Sequence, residues 1–149
     1  MRCLIAVGLI LTKEDQILLM KRQNTGFGDG FWALPGGNVE RRESLKRAAC
    51  REGFEELNII IDEKDIHFSS CSHLDTYFRS AEEALFFAFH VTSYTNEITN
   101  MEEEKCAELC FFSLNSLPKN LLEGTRKCIE NFIEKAPYGE LYFSNQNQQ

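Results

Sequence analysis

Arg51, Glu52, Glu55 and Glu56 place four charges within two turns of one expected helix. Glu52, Glu55 and Glu56 stand at i, i+3 and i+4, so on a helix they share a face about 5–6 Å apart. On a solvated face, like charges so placed cost only about 0.2–0.5 kcal/mol per pair. In a partly buried cleft, with an effective dielectric near 20, each pair costs about 3 kcal/mol. Burial therefore separates a solvated acidic face from a chemical site. Leu45, Ala48 and Ala49 lie on the same stripe, which starts apolar and turns acidic toward its C-terminal end. Three carboxylates at a core margin need a counter-charge, and oxygen donors at this density suit a hard divalent cation such as Mg²⁺ or Mn²⁺.

The elements that must position these charges are also legible. Upstream, FWALPGGNVE reads as an apolar strand broken by Pro35, Gly36 and Gly37. Proline sets φ and the paired glycines allow close backbone approach, so this loop can present main-chain groups to an ion or phosphate. Ser44 is the expected helix N-cap, without a full capping box because Arg47 occupies N3.

The segment GNVERRESLKRAACREGFEELNI, residues 37–59, resembles the signature of the Nudix hydrolase family. Gly37, Glu43, Arg51, Glu52, Glu55, Glu56 and Ile59 fall in register with it. Two positions depart: Gly53 stands where the pattern has an apolar residue, and Asn58 where it has glycine. Asn suits a left-handed helix C-cap. Gly inside a helix costs about 1 kcal/mol relative to Ala, so Gly53 is expected to lose packing or stability rather than metal binding. The approach NTGFGDGFWALPGGNVE and the downstream NMEEEKCAELCFFSLNSLP resemble the MutT-like group of the family, which acts on nucleotides.

The resemblance implies an α/β fold, the Nudix α/β/α sandwich, with a mixed β-sheet and a loop–helix–loop catalytic motif. It implies metal ligation by Gly37, Glu52, Glu55 and Glu56, with a further distant ligand or base for which Glu104 is the choice within Glu102–Glu104. Arg51 is expected to hold Glu43. The chemistry implied is hydrolysis of a nucleoside diphosphate linked to a group X, with Mg²⁺ or Mn²⁺ as cofactor. Arg22, Asn24, Phe27, Asp29, Phe31 and Trp32 precede the metal loop and are candidates for contact with the nucleotide. Phe111 and Phe112 are expected to pack within a strand.

The general properties suit one compact enzyme domain. Its 149 residues, 43% hydrophobic and 26% charged, are ordinary for a globular protein able to bury a core. We assign residues 1–143 to a single domain and 144–149, SNQNQQ, to a polar tail. A formal charge of −7 argues against a nucleic-acid polymer or anionic membrane as partner, and makes metal bridging the route to an anionic nucleotide. A single copy and a homodimer are both compatible with the sequence. CLIAVGLIL is too short to span a bilayer and, with KEDQ and ILLMKR following, reads as the first strand of a hairpin. Six cysteines without paired spacing suggest reduced thiols and a cytoplasmic protein, and His67, His73 and His90 lack zinc-ligand spacing.

Beyond the motif, IHFSSCSHL, ALFFAFHVTSY and LCFFSL read as strands. RSAEEA and TNEITNMEEEK read as polar loops bordering the site. NLLEGTRKCIENFIEK is helical in period, with Leu121, Leu122, Cys128, Ile129, Phe132 and Ile133 for packing and Gly124 weakening its start.

Three functions follow. The first is a metal-dependent pyrophosphohydrolase converting nucleoside triphosphates, damaged ones included, to monophosphate and pyrophosphate. The second keeps the chemistry but takes ADP-ribose, a nucleotide sugar, a dinucleoside polyphosphate or capped RNA. The third is a non-catalytic nucleotide-binding module.

Overall fold

The computed structural model describes residues 2–75 and 83–141. Its first strand, β1 (Cys3–Lys13), organises the rest. A tight turn with Glu14 in the left-handed region returns the chain as β2 (Gln16–Arg22), with Lys13 paired to Gln16, so the expected hairpin forms. β3 (Trp32–Ala33) and β4 (Gly36–Asn38) follow as short strands, one on β2 and the other on β1. Helix α1 (Leu45–Leu57) leads through a 3₁₀ turn at Glu63–Asp65 into β5 (Ile66–Asp75). β6 (Glu83–Val91), β7 (Cys106–Ser113), α2 (Glu123–Glu134) and β8 (Tyr138–Leu141) complete the described chain.

The sheet runs β3-β2-β1-β6-β5-β8, with β4 added to β1 and β7 to β2. β1 pairs with β6 in parallel and with β2 and β4 antiparallel, so the sheet is mixed. Val7, Leu9, Ile10 and Leu11 are all buried, as a strand covered on both faces requires. Alternation then divides them. Leu9, Leu11, Leu18, Phe89 and Val91 pack beneath Ala48, Ala49 and Leu57 of α1. Ile10, Ile17, Leu19 and Ala88 pack on the opposite side with Cys128 and Ile129 of α2. Helices cover both faces, which is the α/β/α sandwich expected.

Both helices depart from the sequence reading in detail. Gly53 is buried, and a Cβ there would lie 2.8 Å from Ile61 Cδ1 and 3.4 Å from Ile59 Cγ1. The missing side chain is replaced by close approach of Ile61, so Gly53 gains contact with the core instead of losing packing. The second helix starts at Glu123: Leu121 is buried in a bridge to Trp32 and Leu122 is the N-cap residue. Ile133 is exposed, while Thr125 and Asn131 are buried instead. Thr125 is held there by the Leu34 N–H donating to its hydroxyl at 3.2 Å, and Asn131 by a 3.4 Å bond from its amide to Ser72 Oγ. Four residues of the RSAEEA loop, 79–82, and the 144–149 tail lie outside the described residues. Among the described residues, no helix is long and apolar enough to cross a membrane.

Candidate active site

The acidic face is set by the ends of α1. Ser44 caps its start, accepting from Arg47 N–H at 3.2 Å, and Asn58 closes it in the left-handed conformation with φ 61°. The core contacts of Ala48, Ala49, Gly53 and Leu57 then fix the rotation of the helix. Glu52 and Glu56 point to the boundary between α1 and β4, and Glu55 to its rim. Glu56 is only 5% exposed, so the acidic stripe does continue into the protein.

Arg51 is the hub of this face. Its Nε and Nη2 donate to the two carboxylate oxygens of Glu43 at 2.7 and 2.9 Å. Its Nη1 donates to Glu52 Oε1 at 2.9 Å and Glu55 Oε2 at 3.2 Å, and Nη2 reaches the Asn38 carbonyl at 3.1 Å. The hydrogen bonds from Arg51, ahead of the opposing cost of burial, hold the Glu43 carboxyl below its ordinary range. The same bond to Glu43 is the first cause that keeps Arg51 firmly protonated. One cation thus ties β4, the loop before α1 and three glutamates together.

Glu56 has a different environment. Burial, then a hydrogen bond with Glu52, then the charges of Glu52 and Glu102, push its carboxyl up to about 10. The Gly36 N–H donates to its Oε1 at 3.1 Å and opposes that rise. Without a cation, this group is protonated at neutral pH. The two glycines of the loop permit the approach. Gly36 has φ 149°, and a Cβ there would strike the Val7 carbonyl; at Gly37 a Cβ would lie 2.8 Å from the Glu52 carboxyl carbon. Any side chain at either position would push the loop off the carboxylates.

A cleft of 510 Å³ opens over this face. Its lining includes Glu52, Glu55, Glu56, Gly36 and Gly37 together with Arg22, Asn24, Thr25, Glu102 and Lys105. A second, mainly apolar cavity of 270 Å³ adjoins it, sharing Arg22, Leu34, Gly36, Gly37 and Asn38, and is walled by Leu4, Phe27, Leu74, Phe86 and Leu122.

The structure sorts the residues expected at the site. Gly37, Glu43, Arg51, Glu52, Glu55 and Glu56 come together, and Arg22, Asn24 and Phe27 face one cavity or both. Glu104 does not reach the cleft. Its carbonyl accepts from Asn24 Nδ2 at 2.9 Å, and the loop turns Glu102 to the carboxylates instead. Asp29 lines neither cavity, because its carboxylate is consumed within its own loop, accepting from Thr25 N–H, Thr25 Oγ1 and Gly26 N–H. Trp32 is buried edge-on against Phe112, 4.8 Å between centroids, and Phe31 is exposed away from both cavities. Lys105, Leu4 and Phe86 also line the cavities but are distant in sequence from the motif, and Asn38 lies within the motif at a position its pattern leaves free; none carries a spacing signal of its own.

The donors present fit a hard divalent cation. They are carboxylates and main-chain groups, and a cation beside the buried Glu56 would oppose the burial and neighbouring charges that hold its carboxyl up. Among the described residues, no three Asp, Glu, His or Cys side chains already converge as a closed metal cage.

The comparisons with known proteins agree with this geometry. The family model described as "NUDIX domain" matches residues 4–132. The ADP-ribose pyrophosphatase of Methanocaldococcus jannaschii is 37% identical over 115 residues, 77% of this chain, which spans 64% of that protein's length. The 8-oxo-dGTP diphosphatase of Proteus vulgaris is 34% identical over 64% of this chain and 80% of its own. A MutT NUDIX hydrolase from Burkholderia pseudomallei superposes with a TM-score of 0.80 at 27% identity, covering 88% of this chain and 98% of that one. With the motif, the sandwich and the match over residues 4–132 in agreement, the chain belongs to the Nudix family.

Proposed function

We propose that residues 1–143 act as a metal-dependent pyrophosphohydrolase that cleaves nucleoside triphosphates to monophosphate and pyrophosphate, damaged nucleotides included. Nudix hydrolases generally need a divalent metal and accept small nucleotide substrates. The observation that carries this reading is the buried Glu56 beside Glu52 and Glu102, at the wall of a cleft that also holds Arg22 and Lys105. An acidic cluster alone would repel a polyphosphate. Arg22 and Lys105 in the cleft lining and an apolar cavity beside it suit a ligand anionic at one end and flat and apolar at the other.

In this reading Glu52, Glu55, Glu56 and the Gly37 main chain hold Mg²⁺ or Mn²⁺. The chemistry such an ion supplies is neutralisation of charge on the phosphate oxygens. Arg51 keeps Glu43, Glu52 and Glu55 in place without touching substrate. Arg22 and Lys105 face the phosphates, and Phe27 and Phe86 flank the base. Glu102, beside Glu56, would add its carboxylate to the same ion and orient or deprotonate the water whose oxygen bonds to phosphorus as the bridging P–O bond breaks. Catalysis is placed in the cytoplasm, on a free nucleotide, with no nucleic-acid polymer or membrane as partner and with a homodimer as compatible as a single copy.

A second reading keeps this site but takes ADP-ribose, as the name of the Methanocaldococcus relative suggests. Incubation with nucleoside triphosphates, 8-oxo-dGTP, ADP-ribose and a dinucleoside polyphosphate, with Mg²⁺, Mn²⁺ or chelator, separates the readings by products. Pyrophosphate from a triphosphate supports the first. Cleavage of ADP-ribose alone supports the second. No turnover by metal-loaded protein sinks both.

A further inference from the structure

Glu102 reaches the cleft on a loop, and loops place side chains less firmly than helices and strands do. This loop is fastened on several sides. The Thr99 and Met101 N–H groups donate to the carbonyls of Leu57 and Glu56 at 2.9 and 3.0 Å, so the loop's entry rests on the end of α1. Asn100 spans its two ends, its Oδ1 accepting from Glu102 N–H at 3.2 Å and its Nδ2 donating to the Cys106 carbonyl at 2.9 Å. The far side is tied to the segment after β2. Gln23 Nε2 donates to the Glu103 carbonyl at 2.7 Å, its N–H donates to the Lys105 carbonyl at 2.9 Å, and Asn24 Nδ2 reaches Glu104.

Gln23 differs from its neighbours in one respect. Arg22 and Asn24 line the cleft, whereas Gln23 lines neither cavity. It sits just past a register shift between Lys21 and Arg22 in the β2–β7 ladder, where the strands part. Its main-chain bond to Lys105 carries the pairing one residue further. The side-chain amide crosses the remaining gap to the carbonyl of Glu103, the residue next to Glu102.

We infer that Gln23 is a positioning residue, whose side chain holds Glu102 at the carboxylate cluster and links its placement to the Arg22–Asn24 wall of the cleft. The inference rests on the hydrolase reading for its consequence in turnover. Its consequence for metal binding is independent of turnover.

The test is a double-mutant cycle of Gln23→Ala and Glu102→Gln, with Mn²⁺ affinity measured by electron paramagnetic resonance without nucleotide, beside steady-state turnover. Gln23→Ala keeps the main-chain bond to Lys105, and Gln23→Glu, of equal length but lacking the donor, serves as second variant. Loss of one net hydrogen bond predicts about threefold to tenfold weaker Mn²⁺ binding and a similar fall in kcat for both variants. KM for nucleotide changes by less than about twofold, and Gln23→Ala adds less than about twofold once Glu102 is Gln. Equal effects in the two backgrounds, or unchanged Mn²⁺ affinity and kcat, overturn the inference. If wild-type protein binds Mn²⁺ but turns over no nucleotide, the hydrolase reading fails while the Mn²⁺ cycle still decides the role of Gln23.

Discussion

Arg51 grips Glu43 with two parallel bonds of 2.7 and 2.9 Å, although the two residues are eight apart and sit on different elements. Because its remaining donors reach Glu52, Glu55 and the Asn38 carbonyl, the guanidinium sets the geometry of the whole acidic face. A lysine at this position retains the charge but not the fork. Arg51→Lys should lower kcat/KM by about 10–100-fold, the range for lost support of metal-ligating groups. Thermal melts should show a smaller loss for Arg51→Lys than for Arg51→Ala, which leaves all three glutamates uncompensated. Equal activity of wild type and Arg51→Lys would remove the hub role.

Glu56→Gln should separate stability from activity. The amide retains the shape and can still accept from Gly36, but it cannot become a charged oxygen ligand. Turnover should fall by roughly 10²–10³-fold, as when a preorganised electrostatic contact is lost. Circular dichroism should show the fold unchanged. Unaltered metal-dependent turnover would sink the assignment of Glu56 as ligand.

The same carboxyl predicts a pH dependence. Its ordinary value is 4.5 and the folded one about 10, so between these limits the folded state binds the extra proton. Stability from this group is present below pH 4.5 and is lost as pH rises toward 10. Metal-free wild type in chelator should therefore melt at lower temperature at pH 9 than at pH 6, and Glu56→Gln should flatten that slope. Divalent metal should restore stability most at high pH, since binding must displace the proton. A wild-type slope equal to that of Glu56→Gln would refute the raised carboxyl.

Glu102 and Glu104 are two residues apart and are expected to behave differently. Glu102 faces the carboxylates, while Glu104 contributes its carbonyl to Asn24. Glu102→Gln should cut kcat by about 10²-fold, within the range for a lost acid–base group, and Glu104→Gln should leave it within about twofold. Steady-state kinetics on the two variants decide between them, and the reverse order would restore Glu104.

Gly53 offers a packing test. Gly53→Ala gains about 1 kcal/mol of helix propensity but forces its Cβ against Ile61. Ile61→Val removes the Cδ1 atom that lies 2.8 Å from that Cβ. The double variant should be more stable to denaturant than the sum of the singles implies, by about 1 kcal/mol. Strict additivity would mean that Ile61 does not fill the space at Gly53.

The acidic face was legible from the sequence by itself because it depends on short-range periodicity, and the fold class because residues 37–59 resemble the Nudix signature. Glu52, Glu55 and Glu56 share a face whenever their segment is helical, and the Ser44 and Asn58 caps announce where it starts and stops. The buried strand CLIAVGLIL and its hairpin likewise follow from local pattern. Tertiary structure alone decided what each polar or aromatic residue outside the motif faces. Phe27 lines a cavity and Phe31 does not, because the Asp29-capped loop turns between them, and no period distinguishes two exposed aromatics four residues apart. Glu102 rather than Glu104 lines the cleft, together with Lys105, because hydrogen bonds fasten their loop to α1 carbonyls and to the Gln23 amide, across 80 residues in the latter case. Such long-range ties leave no local signature, since they depend on where strands end in space rather than on the residues beside them.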